Sequence, residues 1–126
     1  MSDLYDLEAE ESLLGSVFFD PAIIDDVLET LAPDDFQADR HAVTFAAMRS
    51  LAEQTIEVNP VNLANQLRAD GTLDRAGGVG ALGVLSMATP SSGNWRRYAK
   101  IVREYSLRRK LVSAASGIIE TARDMR

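Results

Sequence analysis

Residues 94–122 read NWRRYAKIVREYSLRRKLVSAASGIIETA and are the most informative part of the chain for its fold. No proline interrupts it, and apolar side chains recur three and four positions apart along its length, which is the spacing of a helix face. At 1.5 Å per residue the stretch predicts one helix of roughly 40 Å, which is long for a chain of 126 residues.

Two apolar lines run along this helix. The first has heptad-like spacing with one charged interruption, and it comprises Tyr98, Ile101, Tyr105, Arg108, Val112, Ala115, Ile119 and Ala122. The second is displaced around the helix and comprises Leu107, Leu111, Ala114 and Ile118. Two lines imply neighbours on more than one side. Because an apolar line left in water favours aggregation, the pattern favours an oligomerisation helix or half of a helical hairpin over a helix that folds back entirely onto the rest of the chain.

The preceding residues predict five shorter helices, at about 7–19, 21–31, 39–54, 60–70 and 79–88. Asp20 and Asn59 each stand before a proline, which is the arrangement of an N-cap followed by the first helical residue. The fold class expected is therefore all-α, a small bundle of about five helices (residues 1–90) followed by one long helix (residues 91–126). The expected inward-facing residues include Leu13, Leu14, Val17, Ile24, Val27, Met48, Leu51, Val61, Leu67, Leu82, Leu85 and Met87.

The net charge of −6 hides a strong asymmetry. Residues 1–90 carry a net charge of −12, whereas residues 91–126 carry +6. Such an asymmetry indicates an interaction segment. The basic residues of the long helix could contact nucleic-acid phosphates or the acidic bundle of a neighbouring subunit, or could simply lie in solvent. They are Arg96, Arg97, Lys100, Arg103, Arg108, Arg109 and Lys110.

Several kinds of chemistry are excluded or disfavoured. The chain has no cysteine and a single histidine, His41, for which a structural hydrogen-bonding role is expected. Residues 78–83 read GVGALG and match the dinucleotide-binding pattern, but no strand signal precedes them, so a turn and close helix packing are expected instead. No phosphate-binding loop, catalytic constellation, metal cluster or cofactor site is predicted. The acidic start is not a signal peptide, so a cytoplasmic location is expected.

The order of blocks along residues 7–124 resembles the N-terminal domain of the DnaB-type replicative DNA helicase. The resemblance begins with LEAEESLLGSV at residues 7–17 followed by Asp20-Pro21, and it continues with PDDF at residues 33–36. It is completed by VNLA at residues 61–64, TPSSGN at residues 89–94, and the blocks IVRE and LRRKL within the long helix.

The resemblance implies a non-catalytic domain, whose hairpins pair between subunits to form a collar on a hexameric ring. It implies primase as a partner, a helicase loader as a further one, and single-stranded DNA as the strand that the ring encircles. The ATPase domain, with its ATP and Mg²⁺, would lie outside this chain, so that 5′-to-3′ unwinding belongs to the longer parent. The residues placed on the pairing helix are Tyr98, Ile101, Val102, Tyr105, Leu111, Val112, Ala115 and Ile119.

Three alternatives remain open at this point. They are the helicase-binding domain of a primase, a stand-alone modulator of a helicase, and a nucleic-acid-binding helical protein that uses its basic helix. The family also often has a basic or proline residue before the histidine, where this chain has Ala38-Asp39-Arg40, and Ala42 replaces a common arginine. These departures put local contacts in doubt rather than the fold.

Overall fold

A computed structural model describes residues 4–88 and 91–125. It contains six helices: α1 (Leu7–Phe19), α2 (Ile24–Thr30), α3 (Asp39–Glu53), α4 (Pro60–Asp70), α5 (Gly78–Ser86) and α6 (Trp95–Asp124). Two 3-10 turns, Pro21–Ile23 and Pro33–Asp35, flank α2. No strand occurs in the described ranges, and the expected all-α class is confirmed. The TPSSGN block begins with Thr89 and Pro90, which lie outside the described residues together with the predicted boundary between 90 and 91.

The helix ends follow the local signals of the sequence. The side chain of Asn59 accepts a hydrogen bond from the backbone N–H of Asn62 at 2.8 Å, and Gly71 ends α4 with a φ of +73°. Asp20 likewise accepts from the N–H of Ala22 at 3.3 Å. However, it opens a 3-10 turn, and α2 proper begins only at Ile24. The predicted second helix is therefore two shorter elements.

The core is organised around α1, which packs against α3, α5 and α6. α3 packs against α4 and α2, and α4 packs against α5, so that the five shorter helices share one interior. Phe36 and Phe45 meet in that interior with ring centroids 4.9 Å apart. The fully buried apolar side chains include Leu13, Leu14, Val17, Val27, Phe45, Met48, Leu63, Leu67 and Leu82.

The prediction that two residues face inward, Val61 and Met87, is wrong. Val61 is 70% exposed, because the inner face of α4 is formed by Leu63, Ala64 and Leu67. A position two residues before Leu63 lies about 200° around the helix and points to solvent. Met87 is 85% exposed for the same reason, since it follows Leu85 by two residues and comes after the end of α5.

A buried polar cluster links α1 to the start of α3. Oε1 of Glu10 lies 2.8 Å from Nδ1 of His41, and the carboxylate also accepts from the backbone N–H groups of Gln37 at 2.7 Å and Ala38 at 3.3 Å. Glu10 and His41 are both buried. The structural role expected for His41 is confirmed, and the partner that satisfies it is a carboxylate 31 positions earlier.

The glycine-rich segment forms a turn that leads into α5. Gly77 and Gly78 have φ values of +97° and +80°, and α5 begins directly after this turn. Within the part of the chain that the structure describes, no strand precedes it. The expected close helix packing is wrong for Gly80 and Gly83, because nothing lies within 4 Å of a Cβ built at either position.

Across residues 4–88 and 91–125, no helix combines the length and the apolarity needed to cross a bilayer.

Candidate functional site

The first half of α6 belongs to the bundle. Trp95, Ala99, Val102 and Ser106 are buried, and their spacing of four, three and four places them on one helix face. This face packs against α1 and α2. Val102, which the sequence placed on the pairing surface, is therefore a core residue of its own chain and is not available at the surface.

The second half of α6 leaves the bundle. Every residue from Lys110 to Met125 is exposed, and Leu111 and Ile118 are 69% and 70% exposed. Helix α6 has 30 residues and ends at Asp124, two positions beyond the predicted end. The helix thus neither folds back entirely onto the bundle nor stands free of it.

The character of the bundle-facing side of α6 changes after Ser106. Continued along the helix, this side carries Lys110, Ser113, Gly117, Glu120 and Asp124, all of them polar or without a side chain. The bundle could not extend along such a side, because it offers no apolar surface to bury.

The apolar residues of the second half occupy the opposite side. At 100° per residue they span an arc of about 160°, centred roughly opposite the bundle-facing side. The two apolar lines seen in the sequence merge here into one broad surface, which we call the distal apolar arc. It consists of Leu111, Val112, Ala114, Ala115, Ile118, Ile119 and Ala122.

The remaining residues expected on the pairing surface have mixed positions. Ile101 and Tyr98 are half-buried and pack against the core of the chain, and Tyr105 is also half-buried. Only Leu111, Val112, Ala115 and Ile119 of that set are exposed. The structure therefore divides the predicted surface at about Ser106 into a part that packs on the bundle and a part open to a partner.

The point where α6 leaves the bundle is held by Asp35. Its buried carboxylate accepts from Oγ of Ser106 at 2.6 Å, Nη1 of Arg103 at 3.1 Å, Nζ of Lys110 at 3.3 Å and the backbone N–H of Ala32 at 2.8 Å. Burial alone would raise the pKa of Asp35. The hydrogen bonds from Ser106, Ala32 and Lys110 outweigh it and hold that pKa below its ordinary value.

The seven basic residues fall into two groups. Arg103 and Lys110 donate to the carboxylate of Asp35. Arg109 donates to the backbone carbonyl oxygens of Leu4 at 2.8 Å and Asp35 at 2.7 Å, so these three side chains are engaged by their own bundle. The other four are exposed, and two of them lie over aromatic rings of the same helix: Arg96 over Trp95 and Arg108 over Tyr105. Only part of the basic surface that could contact nucleic-acid phosphates is therefore available to a partner. The exposed four are Arg96, Arg97, Lys100 and Arg108.

The sequence reasoning missed the polar anchors. In the sequence, Asp35 stood out only as part of the PDDF block, whereas the structure exposes Asp34 and buries Asp35. Ser106 could have been found from its position on the Trp95, Ala99 and Val102 face. Among the described residues, no group of three carboxylate or imidazole side chains is close enough to hold a metal ion.

A helical bundle that presents a broad apolar helix face to solvent has the kind of surface that marks an interaction site. The family model of the DnaB-like helicase N-terminal domain matches residues 2–104, and the chain belongs to this family. It is 38% identical over 114 residues to the replicative DNA helicase DnaB of Geobacillus stearothermophilus, and 35% identical over 117 residues to that of Pasteurella multocida. These matches cover 90% and 93% of the chain but 25% of each relative.

Solved structures of the family share the fold. The N-terminal domain of DnaB helicase from Mycobacterium tuberculosis superposes with a TM-score of 0.93 at 33% identity, over 98% of this chain and 88% of that one. A DnaB-like replicative helicase described together with its interactions with primase gives a TM-score of 0.82 at 28% identity. That match covers 95% of this chain and 28% of the helicase chain.

Proposed function

We propose that this chain is the assembly domain of a replicative helicase and that the distal apolar arc pairs it with a second subunit. The observation that carries the proposal is the arc itself, a continuous apolar surface on the side of α6 that the bundle does not cover. Burying such side chains is worth about 25 cal/mol for each Å² of apolar surface removed from water. A second copy of the same helix, or the other helix of a hairpin, offers a surface of matching length and chemistry.

The chain spans about a quarter of the length of the curated relatives it matches. We infer that unwinding, with ATP and Mg²⁺, belongs to a longer protein, and that this domain acts by position rather than by chemistry. In such a protein, pairing between domains would build a collar on a hexameric ring that encircles single-stranded DNA. The domain itself would work without a cofactor.

We also propose that the assembled domain offers a docking surface to primase. The support is the related helicase, whose interactions with primase have been described and which shares this fold over 95% of the present chain. A helicase loader is a further proposed partner of the same assembly. Direct contact of this domain with DNA is less supported, because Arg103, Arg109 and Lys110 are engaged by its own bundle.

The pairing proposal is tested by placing a charge in the arc. Leu111→Asp and Ile118→Asp are expected to shift the chain from dimer to monomer in sedimentation equilibrium, because an aspartate cannot be buried at an apolar contact without a large cost. Ser113→Asp is the matched control, since it adds the same charge to the polar side of the same helix segment. Association that is equally weakened in all three variants, or unchanged in all three, contradicts pairing through the arc.

Primase docking is tested by titrating the chain with the helicase-binding domain of a bacterial primase. Binding is expected for the unsubstituted chain and for Ser113→Asp. Binding that survives Leu111→Asp would place the primase surface outside the paired arc. Absence of binding to the parent at concentrations where it is dimeric would contradict docking by this domain.

A further inference from the structure

The direction in which α6 leaves the bundle is decided within a short segment. Ser106 is the last buried residue of the helix, 1% exposed, and no residue from Lys110 to Met125 is buried. The 18 residues from Leu107 to Asp124 therefore extend over roughly 27 Å, and none of them is buried.

The contacts at this base are polar and converge on one residue. Asp35, 2% exposed, accepts hydrogen bonds from Ser106, Arg103 and Lys110, which span two turns of α6. Arg109, which precedes Lys110, donates to the backbone carbonyl oxygens of the same Asp35 and of Leu4. Four side chains on one face of α6 (Arg103, Ser106, Arg109 and Lys110) are thus tied to one residue of the bundle.

The bundle holds Asp35 rigidly in turn. Its second carboxylate oxygen accepts from the N–H of Ala32, and its own N–H donates to the Ala32 carbonyl oxygen at 3.0 Å, which closes the 3-10 turn Pro33–Asp35. The following residue, Phe36, is anchored in the core against Phe45. The other charged group at this site is Asp34, whose exposed carboxylate lies 3.8 Å from Nζ of Lys110.

We propose that Asp35 and the four α6 side chains bound to it form a polar clamp that fixes the direction of the projecting half of α6. The apolar residues Trp95, Ala99 and Val102 attach the helix to the bundle, but they lie before Ser106 and permit the rest of the helix to tilt about that attachment. The clamp removes this freedom. Its consequence for assembly rests on the proposed function, because the direction of α6 would set the angle between paired subunits.

The clamp is tested by a distance measurement that does not depend on pairing. Since the chain has no cysteine, Ala69→Cys on α4 and Glu120→Cys on the polar side of α6 allow two spin labels at defined sites. Labelled chain is diluted with an excess of unlabelled chain, so that only distances within one molecule are recorded. A tilt of about 20° at Ser106 moves position 120 by roughly 7 Å.

The variants remove either the α6 side chains of the clamp or the carboxylate of Asp35. Ser106→Ala and the double variant Arg103→Met/Lys110→Met leave Asp35 and its turn intact, and we expect both to broaden or shift the distance distribution by several ångströms. Asp35→Asn is expected to do the same. If Asp35→Asn loses helix content by circular dichroism, the two α6 variants decide alone.

Matched controls break comparable contacts elsewhere in the bundle. Ser50→Ala removes a hydroxyl that bonds within α3, and Arg49→Met removes an ion pair to Glu53. Both of these contacts lie within α3, and both variants should keep the distance distribution of the unsubstituted chain. An unchanged distance distribution in Ser106→Ala and in Arg103→Met/Lys110→Met overturns the clamp. It does so even if the same variants no longer form a dimer, because the loss of pairing would then not come from a change in the direction of α6.

Discussion

Buried carboxylates hold this domain together at the scale of single residues. Glu10 and Asp35 each accept at least three hydrogen bonds from groups more than 20 positions away or from a local turn. Burial of a charge is tolerated only when its oxygens are paired in this way. Among the described side chains, no buried nitrogen or oxygen lacks a hydrogen-bond partner.

Removal of the Glu10 carboxylate should be costly. Glu10→Ala leaves His41 and the N–H groups of Gln37 and Ala38 without their acceptor, and we expect the free energy of unfolding to fall by about 3–5 kcal/mol. Urea denaturation followed by circular dichroism measures the change. The control is Glu8→Ala on the exposed side of α1, for which about 0.5 kcal/mol or less is expected. Equal effects of the two substitutions would show that the buried cluster is not a source of stability.

Asp35 gives the stability a defined pH dependence. Because its pKa in the folded state lies below the ordinary value of 3.8, its contribution is present above that value and is lost as the pH falls through the folded pKa. Asp35→Asn should therefore be less stable than the parent at pH 7, and the difference should shrink at about pH 3. Denaturation at both pH values measures it, with exposed Asp25→Asn as control. A difference that stays constant from pH 7 to about pH 3 would contradict the assignment.

At the scale of elements, the glycine-rich start of α5 contains two glycines in different structural situations. Gly77 has a positive φ and its Cβ would lie 2.7 Å from Cβ of Ala81, so that position requires glycine. Gly80 lies within the helix, with no positive φ and no neighbour within 4 Å. The same residue type is therefore necessary at one position and unfavourable at the other.

The two positions give opposite predictions for the same substitution. Gly77→Ala is expected to lower the free energy of unfolding by more than about 1 kcal/mol, because it combines a strained φ with a close contact. Gly80→Ala should raise it by about 0.5–1 kcal/mol, since alanine loses less backbone entropy in a helix. Thermal denaturation of the two variants checks both signs. A stabilising Gly77→Ala would show that the turn adopts another conformation.

At the scale of the whole molecule, the bundle and the projecting half of α6 have separate tasks. Ser106 is the last buried residue of α6, and every residue of the distal apolar arc is exposed. Stability and association should then be separable.

A chain shortened after Lys110 tests this separation. It keeps the buried face of α6 and the clamp, so the free energy of unfolding of the bundle should change by no more than about 0.5 kcal/mol. Self-association should be lost, because the arc is removed. Denaturation and sedimentation equilibrium on the same sample measure the two properties. A strongly destabilised short chain would show that residues after Lys110 support the bundle.

Much of the fold could be read from local signals. The spacing of apolar residues predicted α6 to within two residues at its end, and the caps at Asn59 and Gly71 bounded α4 correctly. Val61 and Met87 failed because a three-and-four spacing fits two alternative faces of a short helix, and packing against neighbours chooses between them. For the candidate site, the sequence showed the two apolar lines on α6. It did not show that α6 packs on the bundle up to Ser106 and is exposed beyond it.

The helices, their order and the apolar surplus of residues 111–122 could be predicted from the amino-acid sequence, because they follow from periodicity and capping within a few turns. The charge asymmetry follows directly from the composition. The point where α6 stops packing and begins to project is set by the folded bundle and not by local sequence. That point depends on contacts between Asp35 and residues about 70 positions away, and on Glu10 and His41 meeting across 31 positions. Hydrogen bonds between such distant residues form only once the bundle has brought them together, so no local pattern carries them.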